Sequence, residues 1–179
     1  MPAAEWDETA TLWFLVRQAA ARMDRAGDAL YRQELGVSLA QFLVLSVVDA
    51  HPGPLNQQVI VDRLGLTKGT VSRQIELAVE SGRMTVETSP HSRREHIVRL
   101  TPEGTALVRR GDAVLAKSLE SDMPAFDPVE LAATIRTLTA LNAALGGAPS
   151  PQWARAKAET ARPDPNANQE ADGPPRDTR

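Results

Sequence analysis

The chain has 179 residues with a net charge of −3, enough for one well-packed domain but with no overall positive field to draw nucleic acid, so any such binding must come from a local patch. It is 42% hydrophobic and has no cysteine, which excludes disulfides, thiolate metal sites and cysteine-based redox sensing. No apolar run reaches the roughly 18 residues of a membrane span, and the acidic start Met-Pro-Ala-Ala-Glu-Trp-Asp-Glu is unlike a signal peptide, so a cytoplasmic location is expected.

From Trp6 to about Gln33 the apolar residues Leu12, Leu15, Val16, Ala19, Met23, Ala26 and Leu30 recur at three- and four-residue spacings, which predicts a long helix. A terminal helix of that length cannot bury its stripe on a small core alone, so it is expected to pack on a partner subunit. Ser38-Leu-Ala-Gln41 is a capping box. The helix it opens, Leu39 to about Asp49, is apolar nearly all round and belongs at the centre of the domain. His51-Pro-Gly-Pro54 ends it.

Asn56 can cap a short helix to Leu64, and Gly65 can take the left-handed conformation that turns the chain sharply. Thr67 then caps a second helix with Val71, Ile75, Ala78 and Gly82 on one face and Gly69, Arg73, Glu76 and Glu80 opposite. Two short helices joined by Leu-Gly-Leu-Thr have helix-turn-helix spacing. Period-two alternation at Met84–Thr88 and Glu95–Leu100, around Ser-Pro-His-Ser-Arg-Arg, predicts a β-hairpin with a basic tip. Thr101-Pro-Glu-Gly opens a helix to about Ser121 through Ala106, Leu107, Val114, Leu115 and Leu119. Asp127-Pro-Val-Glu130 caps another, with Leu131, Ile135, Leu138, Leu141 and Leu145 as a second under-packed stripe. Residues 147–179, rich in Ala, Pro, Asp, Asn and Arg, are expected to be a disordered tail.

Three segments in this order resemble the MarR family of winged helix-turn-helix regulators, over about residues 8–146. They are Leu-Gly-Val-Ser-Leu-Ala-Gln-Phe-Leu-Val-Leu (35–45), Asp-Arg-Leu-Gly-Leu-Thr-Lys-Gly-Thr-Val-Ser-Arg (62–73) and Ser-Arg-Arg-Glu-His-Ile-Val-Arg-Leu-Thr-Pro-Glu-Gly (92–104). The last ends in the family's Leu-Thr-x-x-Gly exit from the wing. The resemblance implies a mainly α fold with a small β-hairpin wing: a winged helix-turn-helix with N- and C-terminal dimerisation helices at about 6–33 and 127–146. Residues 1–146 would form one DNA-binding and dimerisation domain, with the helix-turn-helix at 56–82 and the wing at 83–100. It implies a homodimer that places one recognition helix in each of two major grooves of a pseudo-palindromic operator in double-stranded DNA.

Thr67, Lys68, Thr70 and Arg73 then face the major groove, Lys68 suiting a phosphate and Arg73 a fork onto guanine O6 and N7. Glu76 and Glu80, on the same face, would repel phosphates, keep non-specific affinity low, or accept from cytosine amino groups. Arg94 matches the family's minor-groove arginine, but Ser92 stands where the family has an orienting aspartate. Arg93 and Arg99 add phosphate contacts. Val61 stands where a small residue is usual, and Arg83 where an apolar one is common; either could tilt the recognition helix.

The family also implies a ligand cleft between the dimerisation helices and the DNA-binding lobe. Trp13, Arg17 and Phe42 would suit a small aromatic acid or phenolate there; a core Trp and Phe beside a surface Arg is the plain alternative. His51, His91 and His96 are scattered without a zinc-like spacing, and no nucleophile elbow, phosphate loop or paired carboxylates are found, so neither a metal, a cofactor nor an enzyme activity is expected. The expected function is a homodimeric DNA-binding repressor released by a small-molecule effector. The competing reading is a ligand-binding or protein-interaction module of the same fold with lost DNA affinity, motivated by Ser92, the two glutamates and the negative net charge.

Overall fold

A computed structural model describes residues 7–51, 53, 55–89, 92–122 and 124–147, with the side chains of 89 and 92–96 outside the description. In chain order it contains α1 (Glu8–Leu35), α2 (Leu39–Asp49), β1 (Leu55–Asn56), α3 (Gln57–Leu64), α4 (Lys68–Glu80), β2 (Met84–Ser89), β3 (Ser92–Leu100), α5 (Pro102–Asp122) and α6 (Pro128–Ala144). The fold is the mainly helical winged helix-turn-helix that the residue pattern predicts. Of the tail expected over 147–179, all but Gly147 lies outside the described residues.

Local chemistry sets the helix ends. Asp7 caps α1, its Oδ1 accepting from the Ala10 N–H at 2.7 Å, and α1 closes two residues later than the pattern suggests, on Gly36 at φ 67°. Ser38 Oγ accepts from the Gln41 N–H at 3.1 Å to open α2. Asp28 ties the two helices together: one carboxylate oxygen accepts from Arg32 Nε at 2.6 Å and the other from the Leu39 N–H at 3.0 Å. Those hydrogen bonds, Arg32's first, hold the Asp28 carboxyl below its ordinary pKa.

Helix α2 is the centre of the molecule, packed against α1, α3, α4, α5 and β3. Seven of its 11 residues are buried, including the polar Gln41 and Ser46. Around it lie Tyr31, Ile60, Val71, Ala78, Met84, Val98, Leu107 and Val108. Tyr31 stacks on Phe42 with ring centroids 4.2 Å apart. Burial, and secondarily the charge of Asp112, pushes the Tyr31 hydroxyl up to about 12. Helix α5 reaches this core through Gly111, where an added Cβ would lie 2.1 Å from the Phe42 ring. In α5 the buried residues are Gly104, Leu107, Val108 and Gly111, while Ala106, Leu115 and Leu119 are exposed.

The sheet has three strands in the order β1-β3-β2, all antiparallel, so the wing is more than a hairpin. The third strand is only two residues long, Leu55 opposite Val98 and Asn56 opposite Ile97, too short to leave a period-two signature. It covers one edge of β3 and buries Leu55. Strand β3 begins three residues earlier than the alternation suggests.

Candidate nucleic-acid interface

Asn56 Oδ1 accepts from the Val59 N–H at 3.1 Å and starts α3; Gly65 ends it at φ 63°. Thr67 Oγ1 accepts from the Thr70 N–H at 3.1 Å and starts α4, two residues beyond that glycine. Val71, Ile75 and Ala78 anchor α4 in the core, which fixes the opposite face outward. Gly82 is not on the anchored face as its spacing suggests. It lies beyond the last turn at φ 70°, exposed, and turns the chain into β2.

The two helices are also joined by a side chain that the residue pattern did not single out. Gln57, in the first turn of α3, donates through Nε2 to the Lys68 carbonyl at 3.2 Å and to Ser72 Oγ. Glutamine is unremarkable at such a position in sequence; its role depends on the tertiary approach of α4. Val61 is half-buried and packed against the core.

The far end of α4 is latched to α5. The Arg83 N–H donates to the Ala78 carbonyl at 2.8 Å, Thr101 Oγ1 donates to the Gly82 carbonyl at 2.7 Å, and the Thr101 N–H donates to the Arg83 carbonyl at 3.1 Å. Thr101 Oγ1 also accepts from the Gly104 N–H at 3.1 Å. A Cβ at Gly104 would meet the Arg83 carbonyl oxygen at 2.1 Å, which gives the glycine of Leu-Thr-x-x-Gly a steric reason. Arg83 itself is largely covered, with Nε 3.9 Å from Glu103 Oε1. At that ion-pair distance the carboxylate faces a buried Nε that has no hydrogen-bond partner among the described residues.

On the outward face of α4, Thr67, Lys68 and Arg73 are exposed and Thr70 is half-buried. The Thr67 and Thr70 hydroxyls lie 2.8 Å apart, in hydrogen-bond contact. Arg73 Nη1 donates to Glu76 Oε2 at 3.3 Å, both side chains being more than half exposed. So Glu76 is first a partner of Arg73, one helical turn away. On the wing, Arg99 is exposed and lies 3.9 Å from Glu87 Oε2 across the β2–β3 pair. Arg93 and Arg94 belong to β3 by backbone, and their side chains, with that of Ser92, lie outside the described residues.

The suggested ligand trio does not assemble within one chain. Phe42 is 3% exposed and stacked on Tyr31, while Trp13 and Arg17 are exposed near the start of α1. Trp13 and Tyr31 are separated by about 27 Å of helix rise. Two clefts lie elsewhere. One, about 300 Å³, sits behind the wing and is lined by residues such as Asp49, His51, Arg99 and Thr105. The other, about 210 Å³, lies between α1 and α5 and includes Leu30, Glu34, Lys117 and Asp122. Among the described residues no group of His, Asp and Glu is placed to hold a metal ion, and no helix is long and apolar enough to cross a membrane.

The family model of the MarR family matches residues 35–95, from the last residue of α1 into β3 of the wing. No curated protein matches the chain by sequence. Solved structures similar to it include Bordetella bronchiseptica BpsR, in work on regulation of its DNA binding by 6-hydroxynicotinic acid, at 25% identity and TM-score 0.61, covering 74% of this chain and 98% of that one. The Staphylococcus aureus MepR–DNA complex matches at 20% identity and TM-score 0.65, covering 73% of this chain and 96% of that one. Streptomyces coelicolor PcaV, in complex with its natural ligand, matches at 21% identity and TM-score 0.63, covering 81% and 99%. The MarR family model thus covers the helix-turn-helix and the start of the wing, and the described chain has the winged helix-turn-helix fold of MarR-family transcription regulators.

Proposed function

We propose that the chain is a homodimeric, sequence-specific DNA-binding repressor that a small ligand releases from its operator. The observation that carries this reading is the outward face of α4: exposed Lys68 and Arg73 beside Thr67 and Thr70, on a helix anchored from behind by Val71, Ile75 and Ala78. Residues 1–146 act as one DNA-binding and dimerising unit, in the cytoplasm where its DNA is. Lys68 takes a phosphate, Arg73 a guanine edge, Arg94 the minor groove, and Arg93 and Arg99 flanking phosphates.

The dimer reading rests on apolar surface. Leu12, Trp13, Phe14, Leu15 and Met23 on α1, and Leu131, Ile135 and Leu138 on α6, are exposed in the single chain. Full burial of such a side chain stabilises by about 1.5–3 kcal/mol, and covering what these leave exposed contributes a part of that. The ligand is a small aromatic acid or phenolate. The similarity to BpsR and PcaV, both solved in the context of small ligands, supports a ligand response. Trp13 and Arg17 of one chain can meet such a ligand only at a surface the partner completes. Ligand binding acts by changing the separation of the two recognition helices, which weakens both half-sites together.

The test is a gel-shift titration on duplex fragments from the region upstream of its own gene. A specific shift is expected whose affinity falls by about 10³-fold or more between roughly 50 and 200 mM salt, as for a protein with several phosphate contacts. Arg94→Ala is expected to weaken it. Absence of any specific shift overturns the regulator reading in favour of a ligand-binding or protein-interaction module.

A further inference from the structure

A carboxylate on the DNA-reading face of a helix is a cost unless it does something there. Glu76 sits in the middle of that face, one turn beyond Arg73, and its Oε2 accepts from Arg73 Nη1 at 3.3 Å. Facing outward with it are Lys68 toward the start of the helix and Glu80 at its end, all three exposed. The pair leaves two sets of groups for DNA. On Arg73, the donors of the Nε–Nη2 edge match the paired acceptors O6 and N7 of guanine. On Glu76, Oε1 is an acceptor, and in the major groove the amino group of cytosine is the donor a carboxylate suits.

We propose that Glu76 is a specificity-determining residue of the recognition helix: it orients the Arg73 guanidinium for guanine and itself selects a cytosine at the neighbouring base pair. The inference rests on the DNA-binding reading above. Three residues of α-helix rise about 4.5 Å, against about 3.4 Å per base pair, so the two side chains address adjacent base pairs. An arginine without this partner would reach phosphates as readily as bases, gaining affinity and losing discrimination. A carboxylate facing a phosphate, a thymine O4 or a guanine O6 and N7 meets only negative potential or acceptors, and adenine sets its acceptor N7 beside the N6 amino donor, whereas cytosine presents its N4 amino group with no acceptor on the same base. The same Glu76 charge that lowers the overall pull toward DNA thus sharpens the choice among sequences.

The test is selection of bound duplexes from a random-core DNA library by the full-length wild-type chain, Glu76→Gln and Arg73→Ala. Circular dichroism checks each fold, since both side chains lie on the surface. The wild type is expected to enrich a guanine with an adjacent cytosine in each half-site. Glu76→Gln is expected to lose the cytosine preference by roughly tenfold, the worth of one good base contact, to blunt the guanine preference, and to bind a poly(dA-dT) duplex more tightly. Arg73→Ala is expected to lose the guanine. An unchanged consensus for Glu76→Gln overturns the role of Glu76 and leaves the regulator reading intact. A wild type that enriches no sequence overturns both.

Discussion

Helices α2 and α6 are written in nearly the same alphabet of leucine, valine and alanine, yet they end in opposite surroundings. In α2 seven of 11 residues are buried; in the 17 residues of α6 none is. Helix α2 is wrapped by five other elements, whereas α6 makes no extensive contact with any described element. Helix α1 contains both conditions: its last turns press Tyr31 into the core, and its first turns expose Leu12, Trp13, Phe14 and Leu15. The difference teaches that apolar periodicity reports a face that needs covering but not what covers it. In α2 the covering is the chain's own helix-turn-helix. In α6 and the front of α1 no described element supplies it, which is the physical ground for the dimer proposed above.

The comparison breaks most visibly if a core residue is hollowed out. Leu45, fully buried in α2, is expected to cost about 2–5 kcal/mol on substitution by alanine, the range for a leucine whose cavity cannot collapse. Urea unfolding gives that loss as a shift in midpoint at any protein concentration. A loss below about 1 kcal/mol would mean that α2 is not the centre of the fold.

A substitution in α6 is expected to behave differently. Ile135 is 54% exposed in the single chain, so Ile135→Glu leaves the isolated fold nearly untouched. In a dimer that buries it, each copy forfeits roughly half of the about 1.5–3 kcal/mol that full burial of such a side chain contributes, before the charge is counted. Analytical ultracentrifugation at micromolar concentration is expected to give a dimer for the wild type and a monomer for this variant, with unaltered helical circular dichroism. A wild-type monomer would sever the link between exposed apolar stripes and assembly.

Most of the helix-turn-helix lobe is legible directly from residues because its signals are local. Ser38, Asn56, Thr67 and Asp127 are caps whose side chains bond two or three residues ahead, and Gly65 takes the left-handed turn its place suggests. What escaped the residue pattern depends on contacts distant in sequence. The two-residue strand β1 exists only because Leu55 and Asn56 meet β3, more than 40 residues away. Gln57 acts on Lys68 and Ser72 only once α4 is seated. The pairing of Arg73 with Glu76 is local, a three-residue spacing of opposite charges on one helix face, and it adds an intrahelical partner to the DNA-directed roles that the residue pattern offers Glu76. Gly82 falls on the anchored face only if the periodicity is continued past the helix end, where an ideal repeat stops being a guide.

The smallest expected effect falls on the two caps that face each other across this comparison. Thr67 opens α4 through one bond from its Oγ1 to the Thr70 N–H, and Asp127 opens α6 through its Oδ1 to the Val129 and Glu130 N–H groups. Losing either to alanine costs about 1 kcal/mol of helix stability. The consequences differ because the helices sit differently. Helix α4 is anchored by Val71, Ile75 and Ala78, so Thr67→Ala is expected to lower the global thermal midpoint of the DNA-free protein, and Thr67→Ser, which keeps the oxygen, to restore it. Helix α6 lacks a buried residue of its own, so Asp127→Ala is expected to fray that helix locally and to weaken the dimer, with the midpoint shifting only as protein concentration is lowered. If Thr67→Ser fails to recover the midpoint, the threonine methyl rather than the cap is what α4 needs. If Asp127→Ala lowers the midpoint equally at every concentration, α6 is part of the single-chain core after all.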